Sequence, residues 1–230
     1  MDDLLSEKEQ IEKMRAWWSE YGWYVIGGVA LGAFILFGIN YYQSQQVEAE
    51  VAASVLYDDV TEHVTAGNLE AAEAAAGRLD GEYGNSSYAA QSKLAMARLY
   101  MDKNRDQDAA EALNDLLAMG GFEHLKHVAR VRLAKVLLYQ GKPEEVLSLL
   151  EGKQNDAFAA RYAEEMGDAY VALGRYDAAR ASYQAALGEA QPTVDQGLVQ
   201  LKLLDIPAAA GEAAEAAAGD AAAPGEGSDE

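Results

Sequence analysis

Between Tyr21 and Val47 the chain carries no Asp, Glu, Lys or Arg. The centre of this stretch reads Val25-Ile26-Gly27-Gly28-Val29-Ala30-Leu31-Gly32-Ala33-Phe34-Ile35-Leu36-Phe37-Gly38-Ile39, apolar on every side of a helix. Downstream, the apolar residues recur at three- and four-residue intervals and are interrupted by short polar turns, the period of amphipathic helices. As a helix, Tyr21 to Tyr42 reaches about 33 Å at roughly 1.5 Å per residue. A hydrocarbon core is about 30 Å thick, so the pattern predicts one transmembrane helix over residues 21–43.

The edges of the stretch support a span. Trp17, Trp18, Tyr21, Trp23 and Tyr24 crowd one end, and Tyr41 and Tyr42 mark the other. Amphipathic rings favour the two headgroup zones. A buried core helix of a soluble domain is the first alternative, but it rarely runs this long without charge. A cleaved signal peptide is the second. Its apolar region is shorter and ends at small residues, whereas this one ends in Asn40-Tyr41-Tyr42-Gln43. The segment therefore reads as an uncleaved anchor. Lys8, Lys13 and Arg15 precede it, and the next Lys or Arg is Arg78. Positive charge stays on the cytoplasmic side, so the arm 1–20 is expected inside and the bulk of the chain outside the cytoplasm. Within the arm, Ser6 and Glu9 form a capping-box pattern, and Leu4, Ile11, Met14, Trp18 and Tyr21 share one helical face. That face either sets the depth of the helix or meets a partner.

Residues 44–206 repeat. Turns are expected at Gly67-Asn68, Asp102–Asp106, Gly141-Lys142-Pro143 and Gly174-Arg175. Their spacing of about 33 to 38 residues is that of a two-helix solenoid. Leu94-Ala95-Met96-Ala97-Arg98-Leu99-Tyr100 parallels Leu133-Ala134-Lys135-Val136-Leu137-Leu138-Tyr139. Nothing breaks the pattern strongly between Tyr42 and Ala66, which allows one helix to leave the bilayer and enter the first hairpin. In the last hairpin Gly167 and Tyr170 take the small and aromatic positions of a first helix. Ala179, Tyr183 and Ala186 take the small, aromatic and small positions of a second. This resembles a tetratricopeptide repeat, with Met166 for the usual Leu, Ala163 for the usual Trp, and Pro192 one place late. Ala95 and Ala134 stand in the earlier hairpins where Gly167 stands in the last. Pro192 to Ile206 is expected to cap the array, with Leu198, Leu201 and Leu203 or Leu204 covering its end. Scarce Pro and abundant Ala fit an all-α chain, and no run alternates with period two.

Composition narrows the function. The formal net charge of −20 disfavours nucleic acid, whose phosphates require Lys and Arg. Zero Cys removes disulfide and thiolate chemistry. Beyond Ile206, residues 207–230 are almost entirely Ala, Gly, Glu and Asp, with Pro207, Pro224 and Ser228 and no large apolar side chain, which predicts a disordered acidic tail. The three His are His63, His124 and His127, and the last two could share a metal only with a third ligand that no motif supplies. Asp58-Asp59 and Glu144-Glu145 diverge as helix neighbours and read as solvated faces. No catalytic, cofactor-binding or metal motif is recognised, so the chain is expected not to be an enzyme. Two surfaces stand out instead. Gly28 and Gly32, one turn apart in the span, let another helix approach closely. The facing positions of a tetratricopeptide array, carried onto the frames above, give a protein-binding groove of Tyr57, Met96, Tyr100, Lys135, Leu138, Tyr139 and Arg161. The alternative for each is packing between helices.

Taken in order, several residues make the chain resemble the YfgM-type ancillary subunit of the bacterial SecYEG translocon over residues 6–206. They are the span with aromatic edges, then Gln45-Gln46-Val47, Tyr88-Ala89-Ala90, Leu94-Ala95 and Met101-Asp102-Lys103-Asn104. Leu125-Lys126, Leu133-Ala134 and the final repeat follow. The resemblance implies a single-pass protein of the Gram-negative inner membrane with a periplasmic repeat domain. It implies association with SecYEG and with a membrane-anchored periplasmic chaperone of the PpiD type, and transfer of secretory clients to periplasmic chaperones. A regulatory contact through the cytoplasmic arm is implied for some members. Another envelope scaffold, acting in division or outer-membrane assembly, is the competing class.

Overall fold

The computed structural model describes residues 7–153, 157–188 and 193–207. Ser6 of the capping-box pattern, Pro192 and the acidic stretch 208–230 lie outside these residues. Among the described residues there are nine helices and no strand. They are α1 (Glu7–Thr65), α2 (Leu69–Tyr83), α3 (Ser87–Asp102), α4 (Asp106–Ala118), α5 (Glu123–Tyr139), α6 (Pro143–Leu150), α7 (Ala159–Ala172), α8 (Tyr176–Gly188) and α9 (Gln196–Leu204).

The chain divides into two compact units, Met1–Ala52 and Ala53–Glu230, and the division falls inside α1. In the first unit the helix is long and apolar enough to cross a membrane. Its large apolar side chains are exposed rather than packed, with Phe34 at 78% and Phe37 at 75%. A helix hydrophobic all round and uncovered by protein is stable in lipid, where its backbone bonds are satisfied internally. At its first edge Trp17 stacks obliquely with Trp18 and Tyr21, ring centres 6.4 and 5.9 Å apart. The helix continues without a break from the apolar stretch through Thr65, which decides a point that the absence of a breaker only allows.

The second unit is a run of helical hairpins, and its turns share one construction. Each ends a helix with a residue of positive φ: Gly67 (+67°), Asn104 (+58°), Gly141 (+71°) and Gly174 (+69°). The next residue then bonds back five positions. Asn68 N–H donates to His63 O, Arg105 to Tyr100 O, Lys142 to Leu137 O and Arg175 to Tyr170 O, at 2.8–3.0 Å. This closes orphan carbonyls of the preceding helix, and only Gly or Asn enters the left-handed region at low cost. The new helix is started at once: Asn68 caps α2 by accepting from Ala71 N–H, and Pro143 occupies the first turn of α6. Four expected turns are thus four observed turns with one mechanism.

Three apolar cores hold the hairpins. Ala53, Val60, Ala72, Ala75, Leu79, Met96 and Leu99 form one. The largest includes Leu94, Leu113, Leu116, Leu133, Leu137, Val146, Leu150 and Tyr162. In the third, Ala179, Tyr183 and Ala186 pack with Val199 and Ile206. Tyr183 lies directly on the backbone of α7 at Gly167: a Cβ built there would sit 2.5 Å from Tyr183 Cδ1. That is why the small position is glycine in this hairpin. The cap α9 is present but turned relative to the expected face. Val199 and Ile206 are buried and Leu203 is partly so, whereas Leu198, Leu201 and Leu204 are exposed, Leu204 at 81%.

Candidate protein-binding groove

The first helices of successive hairpins, α3, α5 and α7, frame two adjoining cavities. One, of about 320 Å³, is lined by Ala97, Arg98, Met101 and Asp102 of α3, Leu113 of α4, and Arg132, Lys135 and Val136 of α5. The other, of about 460 Å³, is lined by Val128, Val131, Arg132 and Lys135 of α5, and by Ala157, Phe158, Arg161 and Thr193. Arg132 and Lys135 belong to both walls, so the two cavities form one groove across α5. Residues 128, 131, 132, 135 and 136 recur at three- and four-residue steps, the spacing of one helix face. That face presents valines at its floor and cations at its rim.

The charges of the groove are distinct from those of the whole chain. Arg98 reaches Asp102 only at 3.9 Å. Arg132 donates to the Leu94 carbonyl at 3.0 Å. Burial and the neighbouring Arg98 hold the Arg132 guanidinium below its ordinary range. Lys135 Nζ lies 3.3 Å from Glu165 Oε1. Glu165 is 2% exposed, and its other oxygen, Oε2, has no hydrogen-bond partner. Burial raises its pKa to about 7 against the pull of Lys135, and Asp168 and Glu164 push it further in the same direction. Glu164 and Asp168 are themselves held by Lys202 of α9 at 2.8 and 2.7 Å. Asp168 also accepts from Tyr183 O–H at 2.6 Å. The cap helix is therefore tied by an ion-pair network to the helix that closes the groove.

The residues expected to line a groove separate into three groups. Lys135 and Arg161 do line it. Met96 does not: it is 4% exposed and belongs to the first core, because its position on α3 faces α1 and α2 rather than α5. Tyr57, Tyr100, Leu138 and Tyr139 lie outside both cavity linings. Tyr57 is half-buried against Tyr88, ring centres 5.6 Å apart. Tyr100 is half-buried under the Arg105 guanidinium, 5.0 Å from its ring centre, and burial with Glu73 nearby raises its hydroxyl pKa to about 12. Leu138 packs against the main core, and Tyr139 is 66% exposed. Sequence reasoning missed Arg98 and Arg132. Repeat frames compare equivalent positions, and these two cations are not equivalent: Arg98 aligns with Leu137, and Arg132 with Lys93. Helix crossing brings them together.

His127 is occupied structurally. Its Nδ1 lies 2.6 Å from Tyr162 Oη and its ring stacks on Phe158 at 5.1 Å. Burial, followed by the charge of Arg130, lowers its pKa. Among the described residues no group of three or more His, Asp or Glu is placed to hold a metal ion. In the span, a Cβ at Gly28 or Gly32 would meet nothing within 4 Å, which leaves both glycines open to an external surface.

Unbroken apolar helix, hairpins with shared turns, a Gly–Tyr crossing and a terminal cap define a class. The family model for a tetratricopeptide repeat-like domain matches residues 15–208, so the apolar helix is part of the domain and the acidic stretch beyond 208 is not. The chain is 29% identical over 204 residues to the ancillary SecYEG translocon subunit of Escherichia coli, covering 88% of this chain and 98% of that one. It is 30% identical over 200 residues to the subunit of the same name from Haemophilus influenzae, covering 86% and 97%. It is 27% identical over 201 residues to that from Neisseria gonorrhoeae, covering 86% and 96%. The chain belongs to the family of ancillary SecYEG translocon subunits.

Proposed function

We propose that this chain is a non-enzymatic interaction subunit that sits beside the SecYEG translocon. It crosses the inner membrane once, with residues 1–20 in the cytoplasm, 21–43 in the bilayer and the repeats 44–206 in the periplasm. There it passes secretory proteins onward, in partnership with a membrane-anchored chaperone of the PpiD type. The observation that carries this reading is the joint match of the exposed apolar helix and the repeat domain to translocon subunits over nearly their whole length. The distribution of cations supports the orientation: Lys13 and Arg15 precede the apolar stretch and none follows until Arg78.

In this reading Gly28 and Gly32 form the helix-packing face, since their open surface admits a close helix backbone. The groove of Arg98, Arg132, Lys135 and Arg161 receives protein segments, with Tyr139 as an exposed aromatic beside it. Co-purification from membranes in mild detergent tests the partnership. Translocon subunits and a PpiD-type chaperone should both be retained, and Gly28→Ile with Gly32→Ile should release membrane partners. Recovery of division or outer-membrane assembly proteins without translocon subunits would establish the scaffold class instead. Orientation is read from single cysteines, for which the chain offers a clean background. An introduced cysteine at Ser182 should be labelled by an impermeant maleimide once the outer membrane is opened, and one at Met14 should be protected.

A further inference from the structure

The groove is a local reversal of charge. Arg98, Arg132, Lys135 and Arg161 stand on α3, α5 and α7, the first helices of successive hairpins, around two joined cavities in a chain of net charge −20. The anions that face them are Asp102, 3.9 Å from Arg98, and the buried Glu165 beside Lys135. Arg161 has no ion-pair partner among the described residues. Among the described residues positive charge therefore exceeds negative charge along the groove, and its rim cations are exposed.

Residues 208–230 have the opposite character. They contain Glu212, Glu215, Asp220, Glu226, Asp229 and Glu230, no Lys or Arg, and otherwise Ala, Gly, Pro and Ser. They start beside Pro207, whose carbonyl accepts from Arg180 at 3.3 Å on the last hairpin. Twenty-three residues extend at most about 75 Å at roughly 3.3 Å each. Packed helices lie roughly 8–10 Å apart, so three first helices span about 20–30 Å, well within reach. Small side chains fit narrow cavities, and acids spaced three to six residues apart from Glu212 to Asp229 meet cations carried on separate helices.

We propose that residues 208–230 dock in cis along this basic groove and occupy the surface that protein partners would use. The tether supplies an effective concentration on the order of millimolar, so even a millimolar affinity fills the groove about half the time. Exposed ion pairs of this kind are weak and screened by salt, which makes the occupant displaceable by a partner. The rest of the domain is acidic and repels the segment, which favours the cationic stripe. Docking in cis does not depend on which protein partner the groove serves, and its failure leaves the translocon assignment untouched.

Carbodiimide coupling of the full chain in detergent micelles tests the proposal, because it joins Lys to Asp or Glu without a spacer. At about 50 mM salt, peptide mapping should find Lys135 linked within one chain to an acid of 208–230, besides its expected link to Glu165. The tail link should fall at least about fivefold at 0.5 M salt and in Arg98→Glu, Arg161→Glu, whose side chains are exposed. The Lys135–Glu165 link, which depends on a buried contact, should persist and report an intact fold. Tail links spread evenly over Lys103, Lys142 and Lys153 would overturn the proposal. Links recovered only between two chains would also overturn it, as would Lys135 linked to Glu165 alone.

Discussion

Substituting Gly167 by Ala tests the crossing that closes the last hairpin. The new Cβ would lie 2.5 Å from Tyr183 Cδ1, inside any tolerated contact. Tyr183 cannot step aside easily, being 2% exposed, with its hydroxyl donating to Asp168 at 2.6 Å. Overpacking of this kind costs about 1–3 kcal/mol. The gain in helix propensity from Gly to Ala returns about 0.8–1 kcal/mol, leaving a net loss between about 0 and 2 kcal/mol. For a domain of this size each kcal/mol moves Tm by about 2–4 °C, so a fall of up to roughly 8 °C is expected, in place of the rise that propensity alone would give. Gly77→Ala in α2 is the internal control. Its Cβ would meet nothing within 4 Å, so it should raise Tm by roughly 1–4 °C through propensity alone. The assay is thermal unfolding of the full chain in mild detergent, followed by far-ultraviolet circular dichroism. If Gly167→Ala shifts the curve upward like Gly77→Ala, the close α7–α8 crossing is wrong.

Glu165 makes stability depend on pH in an unusual sense. Its carboxyl pKa rises from 4.5 to about 7 on folding, so the folded state binds more protons between those values. Stability is fully present below about pH 4.5 and is lost as pH rises through about 7, by about 3 kcal/mol at most. Glu165→Gln should flatten that slope in urea titrations at pH 5 and pH 8, and an unchanged slope would refute the burial argument. Lys202→Met removes the partner of Glu164 and Asp168, leaving two carboxylates on α7 uncompensated. Hydrogen exchange should then quicken in α9 by at least about fivefold, while α3 and α4 stay protected. Tyr162→Phe deletes the 2.6 Å contact to His127 and should cost about 1 kcal/mol in denaturant midpoint terms, with translocon co-purification unchanged.

What could be read from the residues follows the physics of each signal. The turns were legible because Gly67, Gly141 and Gly174 supply left-handed backbone and Pro143 fixes a helix start. The apolar helix was legible because a charge-free run of that length stands out against the amphipathic pattern that follows it, and α1 is long and apolar enough to cross a membrane. The cap face was not legible. On the short helix α9, Leu198, Leu201 and Leu204 compete with Val199, Leu203 and Ile206, and only the surface offered by Ala179, Tyr183 and Ala186 decides between them. Met96 was misplaced for a related reason: α3 packs on both sides, so an apolar residue at a groove position can equally fill a core. The basic stripe escaped because only the Arg132 position is cationic in both hairpins, matching Lys93, whereas Arg98 aligns with Leu137 and Lys135 with Met96, so convergence across helices leaves little periodic trace.

Photocrosslinking in living cells tests the central claim most directly. A photoreactive residue at position 28, in the open Gly28–Gly32 face, should give adducts with translocon subunits. The same residue at 132 or 139, in and beside the groove, should give adducts with secretory clients or a periplasmic chaperone. Adducts confined to proteins of division or outer-membrane assembly, with translocon subunits missing from position 28, would contradict the account.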